Sequence, residues 1–293
     1  MSHPMEAAFA DEPAFIPYLA AGDAGPFDAI TTPEDAIRVT HQYVEALVDG
    51  GADIIELGLP FSEPIADGPT IRGATTRALE NGMTPVRYLE LVADLAVDVP
   101  IVCMTYYNPI YRFGGTAGVK DFVTAAADAG IDGLIVPDLP VEESGNLRRA
   151  CEVNGIAVIF IAAPTTSTER LARILEVGTG YLYVQARLGT TGARADISGQ
   201  TATSLARINT FEKEHEARPI PKAVGFGIAT GDQAADVVEA GADGVIVGSA
   251  LVDQISASQS PDDAVETLRT AAAELKAGAR RGMETRTDGP QPK

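Results

Sequence analysis

The chain has 293 residues, 45% of them apolar, which is enough for a sizeable core and within the usual range of one α/β barrel. A net charge of −19 argues against a nucleic-acid or anionic-membrane partner. The longest apolar run, Ile156 to Ala163, is far too short to span a bilayer. Of the 22 basic residues only five are lysines (Lys120, Lys213, Lys222, Lys276 and Lys293), against 41 acids, a surface suited to high salt where screening removes self-repulsion. Ser2 to Ala10 lacks a positively charged region followed by an apolar one, so no signal peptide is expected. The two cysteines, Cys103 and Cys151, have no motif spacing and read as buried free thiols of a reducing compartment.

Along the chain, apolar β-rich runs alternate with helical patterns. Strands are expected at about 15–20, 52–58, 100–105, 132–136, 156–162, 180–185, 221–225 and 244–248. Amphipathic stretches of helical length lie between them, among them Pro33 to Asp49, Val86 to Ala96, Val119 to Ala129, Glu142 to Asn154, Thr168 to Val177 and Asp232 to Ala240. The strands are apolar almost throughout, as in a parallel sheet covered on both faces. One joint recurs where a helix ends and a strand begins: Gly50-Gly51-Ala52-Asp53, Ala129-Gly130-Ile131-Asp132-Gly133 and Ala240-Gly241-Ala242-Asp243-Gly244. Glycine supplies the left-handed cap there, and the recurrence fits a barrel built from equivalent units. The pattern therefore predicts a single-domain (β/α)8 TIM barrel over 12–281. A flexible segment is expected at 1–11 and a flexible tail at 282–293. A doubly wound open sheet is the alternative, but no Gly-x-Gly-x-x-Gly follows the first strand.

In such a barrel the chemistry sits at the C-terminal ends of the strands. After the second strand come Glu56 and, in a Gly/Pro loop ending Ala66-Asp67-Gly68-Pro69, Asp67. Two acids in different environments are what acid/base catalysis needs, although either alone could serve a turn. Tyr106-Tyr107-Asn108-Pro109 follows the third strand, and Pro137-Asp138-Leu139-Pro140 the fourth, where Asp138 reads as structural. Tyr183 lies on the sixth strand, which leads to Gly189-Thr190-Thr191-Gly192. The seventh ends in Gly225-Phe226-Gly227 and the eighth in Gly248-Ser249-Ala250. Glycine turns at these positions let backbone N–H groups and a helix N-terminus approach an anion, so a phosphate-bearing substrate is expected. None of His3, His41 and His215 falls at a strand end, and Lys222 lies near the wrong end of its strand. That leaves no place for a His-based metal site or a Schiff-base lysine, and the chemistry falls to carboxylates.

At these residues the chain resembles the α subunit of tryptophan synthase, the indole-3-glycerol-phosphate lyase family. The stretch Glu56 to Pro69 is similar to the family signature. So are Met104 to Pro109, Val136 to Glu143, Gly189 to Arg194, Gly225 to Ile228 and Gly248 to Ala250, in family order from about residue 15 to 275. The resemblance implies retro-aldol cleavage of indole-3-glycerol phosphate to indole and glyceraldehyde 3-phosphate. It implies Glu56 as general acid/base, acting on indole C3 and the side-chain hydroxyl, and Asp67 as hydrogen-bond partner of the indole N–H. It further implies that Tyr183 helps hold the site. Gly192, Gly227, Gly248 and Ser249 would bind phosphate, and Phe226, Tyr106 and Ile161 would lie near the indole. No cofactor is implied in this chain. The implied partner is a pyridoxal-phosphate β subunit in an α2β2 tetramer, facing the loop after the second strand, the Tyr107-Asn108-Pro109 region and the sixth-strand loop.

Three positions depart from the family pattern: Glu63 stands for a common aspartate, Ala186 for a common serine, and Asp23 to Thr32 is longer than in many relatives. Two other readings compete. One is a different phosphate-binding barrel, such as an isomerase of the tryptophan or histidine pathway. The other is a non-catalytic barrel that only docks to and activates a β subunit.

Overall fold

The computed structural model describes residues 3–115, 118–185, 197–215, 218–225 and 227–286. The strands are β1 (Ala14–Ala20), β2 (Ile55–Gly58), β3 (Ile101–Met104), β4 (Gly133–Ile135), β5 (Ala157–Ile159), β6 (Ile161–Ala162), β7 (Leu182–Gln185), β8 (Lys222–Gly225) and β9 (Gly244–Val247). All pair in parallel, in the order β5-β4-β3-β2-β1-β9-β8-β7-β6. β5 and β6 are halves of the expected fifth strand, parted at Phe160. β5 pairs with β4 and β6 with β7. Hydrogen bonds from Thr179 N to Val158 O and from Tyr183 N to Phe160 O complete the seam. The sheet thus curls into the predicted eightfold barrel, and the open-sheet alternative falls away.

Helices surround it: α1 (Pro33–Asp49), α2 (Pro69–Glu80), α3 (Pro85–Ala93), α4 (Tyr107–Arg112), α5 (Val119–Asp128), α6 (Gly145–Asn154), α7 (Thr168–Val177), α8 (Ile197–Glu214), α9 (Gly231–Glu239), α10 (Ser249–Ala257) and α11 (Pro261–Thr285). α1 begins as its sequence dictates. Thr32 and Asp35 form a reciprocal capping box and Pro33 takes the first helical position, where its missing N–H costs nothing.

Alternation along the strands sorts side chains into two cores. Phe15, Leu19, Ile55, Leu57 and Cys103 point out to the helices. Ala14, Ile16, Ile54, Val102, Ile135 and Ile246 fill the barrel. By the same alternation, Glu56 follows Ile54 on the inward face of β2.

The repeated joint does more than end helices. Gly51, Gly130 and Gly241 have φ of 100°, 92° and 108°, a region that disfavours any side chain. The aspartate two residues on then ties the neighbouring strand. Phe15 N donates to Asp53 Oδ2 (2.6 Å), Ile101 N to Asp132 Oδ2 (2.9 Å) and Lys222 N to Asp243 Oδ2 (2.9 Å). At the sixth position Thr179 takes this role, its Oγ1 accepting from Val158 N at 2.8 Å. Every second strand of the barrel is pinned to its predecessor in this way.

Residues 4–9, expected to fray, instead form a 3-10 helix across the barrel floor, capped by His3. Met5 is 1% exposed and joins the interior core, and Phe9 packs on Tyr181 with ring centroids 5.6 Å apart. Gly133, Gly180 and Gly244 leave the room this plug occupies; a Cβ at each would come within 3.2 Å of Met5 or Phe9. The polar surroundings of residues 4–9 hide two apolar side chains with a place to go. At the other terminus α11 continues to Thr285, past the expected limit of 281. Gly278 and Gly282 let it press against the backbone of Gly231 and Ala235 on α9, leaving no room for a Cβ at either.

The cysteines are free and buried, as expected. Lys222 is turned to Glu212 (2.7 Å) and Lys276 to Asp53 (2.8 Å), so both are structural. Among the described residues no helix is long and apolar enough to cross a membrane, and no group of three His, Cys, Asp or Glu could hold a metal ion.

Candidate active site at the barrel mouth

A cavity of about 240 Å³ opens at the C-terminal ends of the strands. Glu56 and Asp67 line one side, Gly227, Gly248 and Ser249 the other, and Tyr18 and Tyr183 stand between. The two acids predicted as a pair therefore do share one cavity with the predicted anion turns.

Glu56 is 1% exposed, and its Oε2 has no hydrogen-bond partner among the described residues. Burial pushes its carboxyl up to about 8, and the charge of Asp67 adds to the rise. At neutral pH it is a protonated acid in an apolar pocket. Asp67 sits one residue ahead of Gly68, the N-cap of α2, with Pro69 starting the helix. Burial raises its carboxyl too, while a hydrogen bond with Tyr106 and the charge of Arg72 pull the other way. Tyr106 stands behind this loop: its Oη accepts from Ala66 N (2.9 Å) and its ring packs on Phe61 at 5.5 Å. It supports the Asp67 loop and does not itself line the cavity.

Three of the residues predicted to bind an anion, Gly227, Gly248 and Ser249, line this cavity. Gly227 has a φ of 89°, and Gly248 caps α10, whose first residue is Ser249. Gly248 and Ser249 line the cavity, so the N-terminus of α10, the positive end of its dipole, lies at the cavity wall. No lysine or arginine lines the cavity among the described residues. Gly225 plays a different part: a Cβ there would overlap Tyr183 Oη, so this glycine lets the Tyr183 ring lie across β8.

Ile161 opens onto a neighbouring cavity of about 290 Å³, with Asp138, Leu139 and Phe160, and not onto the one that holds the acids. Asp138 is structural as expected, accepting from Tyr107 N at 2.8 Å. Gly192 and Phe226 lie outside the described residues. Sequence reasoning missed Tyr18, Met104 and Ile246, which line the cavity from β1, β3 and β9. Their signal was the inward phase of their strands, readable only once the register is known.

A family profile described as "Tryptophan synthase alpha chain" matches residues 5–280. The chain belongs to the tryptophan synthase alpha chain family. It is 53% identical over 291 residues to that protein of Haloferax volcanii, covering 98% of this chain and 99% of the relative. It is 54% identical over 293 residues to that of Natronomonas pharaonis, with the same coverage. A solved Mycobacterium tuberculosis tryptophan synthase is similar with a TM-score of 0.78 at 34% identity, over 96% of this chain and 99% of that one. A chain of the tryptophan synthase a2b2 complex of Pyrococcus furiosus is similar with a TM-score of 0.77 at 38% identity, over 90% and 98%. As a tryptophan synthase alpha chain, the protein is a carbon–carbon lyase that cleaves indole-3-glycerol phosphate in the last stage of tryptophan biosynthesis. Pyridoxal phosphate belongs to the family's beta subunit.

Two expected results follow from charge. The haloarchaeal relatives match the acid-rich surface. The melting temperature should rise as KCl goes from about 0.1 M to about 1 M, since the Debye length shrinks from about 10 Å to about 3 Å. A flat or falling curve in calorimetry would remove the halophilic reading. The second concerns Glu56. Its folded carboxyl lies above the unfolded value of 4.5, at about 8. Between those values the native chain holds a proton that the unfolded chain has released. Stability therefore falls as pH rises from about 4.5 to about 8, at up to about 1.4 kcal/mol per unit. Glu56→Gln should abolish that slope, so that denaturant unfolding shows the variant matching the wild type near pH 4 and exceeding it above pH 8.

Proposed function

We propose that the mouth cavity performs the family's cleavage with Glu56 as the proton carrier and Asp67 as the partner of the indole nitrogen. The observation that carries this reading is the Glu56 carboxyl: fully buried, protonated at neutral pH, and with an oxygen that no described residue satisfies. Protonated Glu56 delivers its proton to indole C3. Positive charge then develops on the ring nitrogen, and Asp67 accepts the N–H hydrogen bond and stabilises that charge. The bond from C3 to the first side-chain carbon breaks, its electrons returning to the ring. The hydroxyl on that carbon becomes the aldehyde and gives up its proton, which returns to Glu56. One proton has moved from oxygen to carbon, and the carboxyl ends as it began. The phosphate is held by the N–H groups around Gly227, Gly248 and Ser249. Tyr183 shapes the wall.

The second partner is a tryptophan synthase beta subunit in an α2β2 assembly, docked at the barrel mouth. Ile65, 82% exposed on the Asp67 loop, and Tyr111, 60% exposed on α4, support this, since both are large apolar groups on the rim that a partner would cover. The buried free thiols suit a cytoplasmic site of action. The test is release of indole from indole-3-glycerol phosphate by the purified chain, alone and with added beta subunit. Indole should appear, and more of it with the partner. No indole in either case would favour the purely docking barrel.

A further inference from the structure

Tyr18 is a polar group at this site to which nothing above gives a role. It lies on β1, in register with Glu56 on β2, and is 8% exposed. On its other side β1 pairs with β9, which leads into Gly248. Its ring runs between two glycines. A Cβ at Gly248 would meet its Cβ and Cδ1 at 3.3 and 3.4 Å, and a Cβ at Gly58 would overlap its Oη. The ring thus starts beside the phosphate turn and ends beside the strand of the catalytic acid. Its Oη lines the cavity and has no hydrogen-bond partner among the described residues. Glu56 Oε2 is buried without a partner among the described residues, and the Tyr18 phenol lines the same cavity, so a ligand there can meet both.

We infer that Tyr18 is a substrate-contacting residue whose hydroxyl donates a hydrogen bond to the side-chain oxygen that becomes the aldehyde. This rests on the function proposed above. Any substrate with its phosphate at Gly248 and its indole C3 at Glu56 must lay its glycerol chain along the span that the Tyr18 ring covers. Negative charge gathers on the departing-proton oxygen as the carbon–carbon bond breaks, and a fixed donor there lowers the barrel's barrier to cleavage. The proton stays on Tyr18 throughout, while Glu56 does the transfer. Burial and the nearby Asp67 and Glu56 charges hold the phenol well above its ordinary range, which suits a donor that never ionises. Gly58 and Gly248 are small for the same reason: they admit the ring.

Tyr18→Phe tests this, keeping the ring and deleting only the oxygen. Indole release should fall about 10–100-fold in kcat/KM, mainly in kcat, as for a lost hydrogen bond to a charge-bearing oxygen. Affinity for an indole bearing a three-carbon phosphate chain without hydroxyls should be unchanged, because that molecule has no oxygen for Tyr18 to meet. Unchanged kcat, or parallel weakening of the hydroxyl-free compound, would overturn the inference in favour of packing. So would a variant that fails to fold, since the hydroxyl would then have a structural partner. A wild type that releases no indole would instead defeat the function on which the inference rests.

Discussion

Glu56→Gln should lower kcat for indole release by about 10³–10⁴-fold with little change in KM, the range for loss of a positioned general acid. The amide keeps the shape of the side chain and most of its contacts, but it cannot hand a proton to indole C3 or take one back. Among the described histidines, lysines and tyrosines none can stand in. The histidines lie away from the strand ends, Lys222 and Lys276 are paired at the far side of the barrel, and Tyr18 and Tyr183 sit well above any useful range. The wild-type rate should also fall as pH rises through about 8, where Glu56 loses the proton it must donate. Steady-state indole assays on both proteins between pH 6 and 9.5 check this. A variant retaining a tenth of wild-type kcat would remove Glu56 from the proton path.

Asp67→Asn should cost about 10²–10³-fold in kcat, by the scale of one preorganised electrostatic contact. The loop itself should survive, because Ala66 N still donates to Tyr106 Oη and the Phe61 ring still packs on Tyr106. What is lost is the negative charge that the ring nitrogen needs as C3 is protonated. An N-methylated indole substrate isolates the effect, since it has no N–H to give. With that substrate the wild type should already be slow, and Asp67→Asn should add less than about threefold. Equal losses on both substrates would mean that Asp67 shapes the loop and leaves the charge alone.

Much of this site was legible in the sequence because its parts obey local rules. Thr32-Pro33 starts a helix wherever it occurs, and the Gly-x-Asp joints announce both a cap and a strand. Glu56 stood out as a charge at the end of an apolar run. Other features depend on distant partners. Nothing near Phe160 says that the fifth strand will split, because the split serves closure against Tyr183. Met5 and Phe9 look like a frayed end until Gly133, Gly180 and Gly244 are seen to leave a hole. Ile161 has the right phase for the indole side but faces a separate cavity. Tyr18 reads as one more apolar strand residue; only its register with Glu56 and the two flanking glycines reveal where its oxygen goes. Gly225 was read with the anion turns, whereas it makes room for Tyr183.

The floor plug also orders events during synthesis. Residues 4–9 emerge from the ribosome early, yet the gaps they fill belong to Gly133, Gly180 and Gly244, the last of them over two hundred residues downstream. Until those positions have been translated and paired, Met5 and Phe9 have no berth, and such distant contacts carry a large loop-closure cost. This early segment is thus among the last to be seated, and a nascent barrel keeps its underside open until its final strand arrives.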